Sequence, residues 1–143
     1  MAKENIPKTM RDFVESMGKK DVEKTLSYLT EDAEWVTPIL TLKGKEAIKK
    51  YLSSEAVQGM KVTETGNGII VEENKAFFEH VIEVSYGGKN AKALAICAYE
   101  FNDEKIKLLR TVFDRLLVAQ QVSGGIPKML VNQIVKQTEK MVE

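Results

Sequence analysis

From Met60 to Phe113 apolar residues tend to recur at every second position, and turn residues interrupt the run at Glu73-Asn74, Gly87-Gly88-Lys89-Asn90 and Asn102-Asp103-Glu104. Successive side chains of an extended chain point to opposite faces, so a period of two marks strands with one dry side. Brief polar or Gly-rich breaks between such runs join antiparallel neighbours. The pattern predicts four consecutive strands, roughly 60 to 71, 75 to 86, 91 to 101 and 105 to 113, folded as a meander.

Alternation also assigns faces. Phe78, His80, Ile82, Val84 and Tyr86 share one side of the second long strand, and Phe77, Glu79, Val81, Glu83 and Ser85 share the other. The first set is the drier. Residues 91 to 99 are apolar on both faces apart from Lys92. That pattern predicts a central strand covered on both sides. Val81, Leu94, Ile96, Leu108 and Val112 fall on the face turned away from any helical layer, and so much apolar surface is costly to leave in water. A two-fold homodimer burying that convex face is expected.

Before the meander the period is helical. Ile6, Met10, Phe13, Val14 and Met17 line one stripe that stops at Gly18, with Pro7 tolerated in the opening turn. Val22, Leu26 and Leu29 continue as a second short helix, residues 33 to 38 read as a short strand carrying Trp35, and Ala47, Ile48, Tyr51 and Leu52 form a third helix ending near Glu55. After the meander, Asp114 is placed to cap a short helix, Gly124-Gly125 breaks the chain, and Pro127 opens a final helix with an apolar stripe through Leu130, Ile134 and Met141. This divides the chain into residues 1–125 and a helical extension, 126–143. The extension's stripe is too long to face water, so it should dock on its own domain or across the dimer.

Composition narrows the function. Lysine plus arginine and aspartate plus glutamate each number 21, so no basic arm is available to neutralise phosphates and nucleic acid is not an expected partner. Met1-Ala2-Lys3-Glu4-Asn5 leads into an amphipathic stretch without an apolar signal core, and no long apolar run follows. A cytoplasmic location without membrane insertion is expected. A single cysteine, Cys97, and a single histidine, His80, do not make a zinc cluster, and neither metal nor cofactor is expected.

Several local motifs, in order, carry a resemblance. They are Asp21 shortly after the first helix, Leu29-Thr30-Glu31-Asp32-Ala33-Glu34-Trp35 through Pro38, Gly44 before the third helix, and Arg110-Thr111-Val112-Phe113-Asp114 closing the last strand. Over about residues 8 to 123 the chain resembles the SnoaL-like branch of the nuclear transport factor 2-like superfamily, which includes the ketosteroid isomerase-like proteins. The resemblance implies an α+β, cone-shaped fold: three N-terminal helices packed on a curved antiparallel sheet, with an apolar pocket between them. It also implies which positions do chemistry in relatives. The isomerases' base aspartate falls on Thr37, their oxyanion tyrosine on Phe13 and their protonated aspartate on Cys97, while the acid of the epoxide hydrolases and cyclases falls on Thr111. None of these side chains performs the corresponding role.

His80 is the candidate that remains, as an acid/base or a ligand hydrogen-bonding group on the pocket face; the plain alternative is a satisfied core histidine bonded to a neighbouring strand or to Tyr99. Cys97 reads as a small buried hydrophobe rather than a nucleophile, Asp114 as a cap rather than an acid, and Glu79 and Glu83 as solvated surface. The expected pocket wall comprises Phe13, Met17, Trp35, Thr37, Tyr51, Phe78, Ile82, Val84, Cys97, Tyr99, Thr111 and Phe113. The reading favours a small hydrophobic ligand held there. An isomerase, cyclase or dehydratase centred on His80 is the alternative, and a pure interaction scaffold ranks last.

Overall fold

The computed structural model describes residues 5–55 and 57–143; residues 1–4, on which the reading of the N-terminus rests, lie outside it. The order is α1 (Asn5–Gly18), α2 (Val22–Ser27), β1 (Leu29–Val36), β2 (Thr41–Lys43), α3 (Lys45–Leu52), β3 (Lys61–Glu72), β4 (Lys75–Tyr86), β5 (Lys89–Asn102), β6 (Lys105–Phe113), α4 (Arg115–Val122) and α5 (Gly125–Lys140). The strands form one curved, unclosed six-stranded sheet in the order β2-β1-β6-β5-β4-β3, and α1 to α3 supply the helical layer. The α+β class and the helix-on-sheet arrangement stand as expected.

Two details of the N-terminal half differ from the sequence reading. Leu29 is not the end of the second helix: Asp21 caps α2 by accepting from the Lys24 backbone N–H, the helix closes at Ser27, and Leu29 is the first inward residue of β1. The three-residue β2, which has no periodicity to betray it, pairs with β1 through Trp35 and Leu42. On its other side β1 runs parallel to β6, so one strand pair departs from the antiparallel scheme.

The meander follows the predicted alternation. Ala76, Phe78, His80 and Ile82 of β4 and Ala91, Ala93, Ala95, Cys97 and Tyr99 of β5 are buried against the helices. Phe13 sits at the centre of that core, edge-on to both Trp35 and Tyr99, with ring centroids 6.2 and 6.4 Å away. Large apolar side chains on the opposite face stay open, with Leu94 54%, Ile96 43% and Val112 61% exposed. The expectation that β5 is covered twice therefore fails within one chain: its back meets solvent.

β3 is bulged. Glu64 pairs with His80 and Ile69 with Phe78, five steps along β3 against two along β4. Gly66, at φ +56°, takes up the turn where a Cβ would lie 2.3 Å from the Glu79 carboxylate, so glycine is favoured and a larger residue would displace that side chain. Glu79 is not free surface. Its Oε2 accepts from the Asn67 backbone N–H at 2.9 Å and holds the bulge closed. Arg11 of α1 then donates two hydrogen bonds to Glu64, at 3.1 and 3.0 Å, tying the helix to this strand.

Asp114 is a cap, its carboxylate accepting from the Leu117 backbone N–H at 3.0 Å. α4 then folds back over the sheet, where the Gln121 side-chain amide accepts from the Lys92 N–H and donates to the Lys92 carbonyl, each at 2.8 Å. β6 ends at Phe113 opposite Ala95, so Gln121 takes over the backbone groups that β6 leaves unpaired. α5 rests on α4, where Gln120 bonds Asn132 at 3.0 Å, and buries none of its residues. Ile126, Met129, Leu130 and Ile134 remain exposed.

Candidate functional site

The concave face of the sheet, α1, α3 and α4 enclose a cavity of about 500 Å³. Ala91, Ala93 and Ala95 of β5 are buried and do not line it. Phe13 and Met17 reach it from α1, Trp35 from β1 with Thr37 just beyond, Tyr51 from α3, His80, Ile82 and Val84 from β4, Cys97 and Tyr99 from β5, and Thr111 and Phe113 from β6. Phe78 does not. It is buried, stacks on His80 with centroids 4.6 Å apart, and lines a shallower groove beside Arg11 and Glu64.

Other lining residues were not anticipated. Val62 and Met60 arrive because β3 curls over the opening, while Arg115, Val118, Ala119 and Val122 arrive because α4 folds back. The spacing of Val118 and Val122 marks one helix face, but which surface that face meets depends on the Gln121 tether.

Most polar atoms at the wall already have partners. Thr37 Oγ1 donates to the Leu40 carbonyl at 2.8 Å and accepts from the Leu40 and Ile39 N–H groups, at 3.0 and 3.2 Å. Its hydroxyl serves its own turn. Trp35 Nε1 donates to Thr111 Oγ1 at 3.0 Å, and that hydroxyl lies 3.2 Å from Cys97 Sγ in a second hydrogen bond. Burial pushes the Cys97 thiol up to about 11, an effect that the Thr111 contact only partly offsets, so it is a neutral thiol at physiological pH.

Two buried groups remain. His80 is 3% exposed, and its Nδ1 lies 3.2 Å from the Phe78 carbonyl. A carbonyl only accepts, so Nδ1 carries the proton and Nε2 of the neutral ring presents a lone pair. Desolvation moves the imidazole below its ordinary pKa, the Phe78 bond opposing it weakly. Tyr99 is 2% exposed, and burial, then the neighbouring Cys97, raises its phenol well above the ordinary value. Its hydroxyl stays protonated. Neither Nε2 nor the Tyr99 hydroxyl has a hydrogen-bond partner among the described residues, and neither is a buried atom sealed from the cavity. On its sheet side the cavity therefore offers one acceptor and one donor set in an apolar wall, and α3 adds the Tyr51 hydroxyl, also without a partner among the described residues. No group of three or more His, Cys, Asp or Glu that could hold a metal is found among the described residues.

The model of the SnoaL-like domain matches residues 10–109, which carry α1 through most of β6. The chain belongs to the SnoaL-like family. Solved structures agree on the nuclear transport factor 2-like fold. A ketosteroid isomerase-like protein from Catenulispora acidiphila DSM 44928, in complex with trimethylamine, is 15% identical with a TM-score of 0.73, covering 80% of this chain and 92% of its own. TerC, co-crystallised with polyporic acid, is 20% identical with a TM-score of 0.73, covering 84% and 98%. An LEH-like epoxide hydrolase from M. tuberculosis is 15% identical with a TM-score of 0.71, covering 92% and 96%. At these identities the likeness establishes the SnoaL-like fold alone. No curated protein sequence matches the chain. Among the described residues no helix is long and apolar enough to cross a membrane.

Proposed function

We propose that this SnoaL-like protein binds a small hydrophobic ligand in the cavity between helices and sheet. One observation carries the reading: a cavity of about 500 Å³ walled by apolar side chains has two polar atoms of buried residues open to it, His80 Nε2 and the Tyr99 hydroxyl, with no hydrogen-bond partner among the described residues. Buried polar groups are ordinarily paired, and a pocket with a few convergent polar atoms is how proteins orient apolar ligands. A ligand that both donates and accepts, such as a hydroxylated terpene or polyketide fragment, satisfies both atoms.

The neutral His80 ring supports a second reading, an enzyme of isomerase, cyclase or dehydratase type. A free Nε2 is a base, and the protonated Tyr99 is a hydrogen-bond donor to an oxyanion. The positions that serve relatives do not contribute, since Phe13 lacks a donor, Thr37 is committed to its turn, and Thr111 and Cys97 hydrogen-bond each other.

Native mass spectrometry against a library of terpenes and polyketide-sized phenols tests the reading. A retained ligand at one equivalent is expected, weakened about two- to tenfold by Tyr99→Phe and similarly by His80→Gln. A ligand whose affinity neither substitution changes would place binding elsewhere.

A further inference from the structure

Among the described residues the cavity wall contains no aspartate or glutamate, and Arg115 is its one charged residue. Arg115 opens α4 at the exposed rim, directly after the Asp114 cap. Its guanidinium is aimed by a 3.1 Å hydrogen bond from Nη1 to the carbonyl of Pro38, in the turn between β1 and β2. No carboxylate lies within ion-pair distance of it among the described residues. A guanidinium has five N–H donors arranged to grip a planar oxyanion, so most of its capacity at the rim is unspent.

We infer that the ligand is an amphipathic organic acid, its apolar body in the cavity and its carboxylate on Arg115. This rests on the cavity being a ligand site and names the class of molecule it takes. The position of the charge matters. A carboxylate driven deep among Phe13, Ile82 and Tyr99 would lose its hydration with no cation to replace it, whereas at the rim it keeps water on one side and meets Arg115 on the other. Apolar walls concentrate the field of that single cation at the opening. An ammonium head finds no carboxylate and a like charge. A neutral alcohol gains an ordinary hydrogen bond.

Titration calorimetry with decanoate, 1-decanol and decylamine, below their micellar concentrations, separates the classes because the apolar bodies match. The wild-type protein should bind one equivalent of decanoate about fivefold more tightly than decanol, with decylamine weakest. Arg115→Gln should bring the ratio of decanoate to decanol affinity to about one. Arg115→Glu should invert the order in favour of decylamine. Decanol binding as tightly as decanoate, with the ratio unmoved in both variants, overturns the acid assignment and leaves the cavity as a neutral-ligand site. Failure of all three to bind the wild-type protein overturns this inference, whereas the ligand reading itself falls only if the terpenes and phenols of the mass-spectrometric screen also fail to bind.

Discussion

Over residues 91–97 the two faces of β5 invert the usual distribution of size, before Tyr99 and Phe101 restore large side chains to the inward face. Toward the helices it presents Ala91, Ala93, Ala95 and Cys97, all buried, and away from them Leu94 and Ile96, both largely exposed. A strand built only for stability would bury its larger residues, since each buried methylene contributes roughly 0.8 kcal/mol. Large residues left outside are costly in water. We propose that the concave face of the sheet serves a ligand and the convex face a protein. We therefore retain the proposal of a homodimer through the convex face, formed by Val81, Leu94, Ile96, Leu108 and Val112.

The largest test of this contrast lies on the inward side. Phe13 is fully buried against Trp35 and Tyr99 and forms the cavity's base. Phe13→Ala should cost about 3 to 5 kcal/mol of folding stability in denaturant titrations, because the cavity beside it offers nothing to collapse into the gap. A cost below about 1 kcal/mol would mean the helix layer is looser than its packing implies. On the outward side the same kind of change should act on assembly. Leu94→Lys with Ile96→Lys should convert a dimer to a monomer in sedimentation at micromolar concentration, weakening association by about 3 kcal/mol or more for two apolar side chains lost from an interface. A wild-type protein that sediments as a monomer removes the protein-facing half of the comparison.

The smallest effect concerns His80. Its folded pKa lies below the ordinary 6.5 because burial disfavours the imidazolium. The unfolded chain then binds more protons, so the contribution is fully present above about pH 6.5 and is lost as pH falls toward the folded pKa. Wild-type stability should decline more steeply from pH 7 to 5 than that of His80→Gln, with a difference smaller than the two effects above. Parallel melting curves across that range check it, and equal slopes would mean the ring is hydrated.

The sequence disclosed what repeats and obscured what depends on distant partners. All four long strands were readable because each alternates for many residues between turn signals, and Asp114 was readable as a cap because the helix follows it at once. Leu29 misled because its distance from Leu26 suits a helix as well as its true place at the start of β1. Glu79 looked solvated because the bulge that needs its carboxylate lies on another strand. The strand-borne part of the cavity wall at His80, Ile82 and Val84 followed from alternation, and Phe78, which shares their parity, lines the shallower groove beside Arg11 instead. Arg115 was invisible as a site residue, since its place at the rim follows from α4 turning back and from the Pro38 carbonyl that receives it.

The bulge in β3 also bears on how the molecule behaves when crowded. β3 and β2 are the two margins of the sheet, and an open margin ordinarily invites a strand from a neighbour to zip on. β2 spans only Thr41–Lys43, too short to template one, and β3 is bent out of line at Gly66, with Glu79 holding the bend. Edge-to-edge growth into fibres is therefore blocked at both ends of the sheet. The cost falls on Gly66, where a side chain would push out Glu79 and loosen the bend that keeps this margin from templating a neighbour.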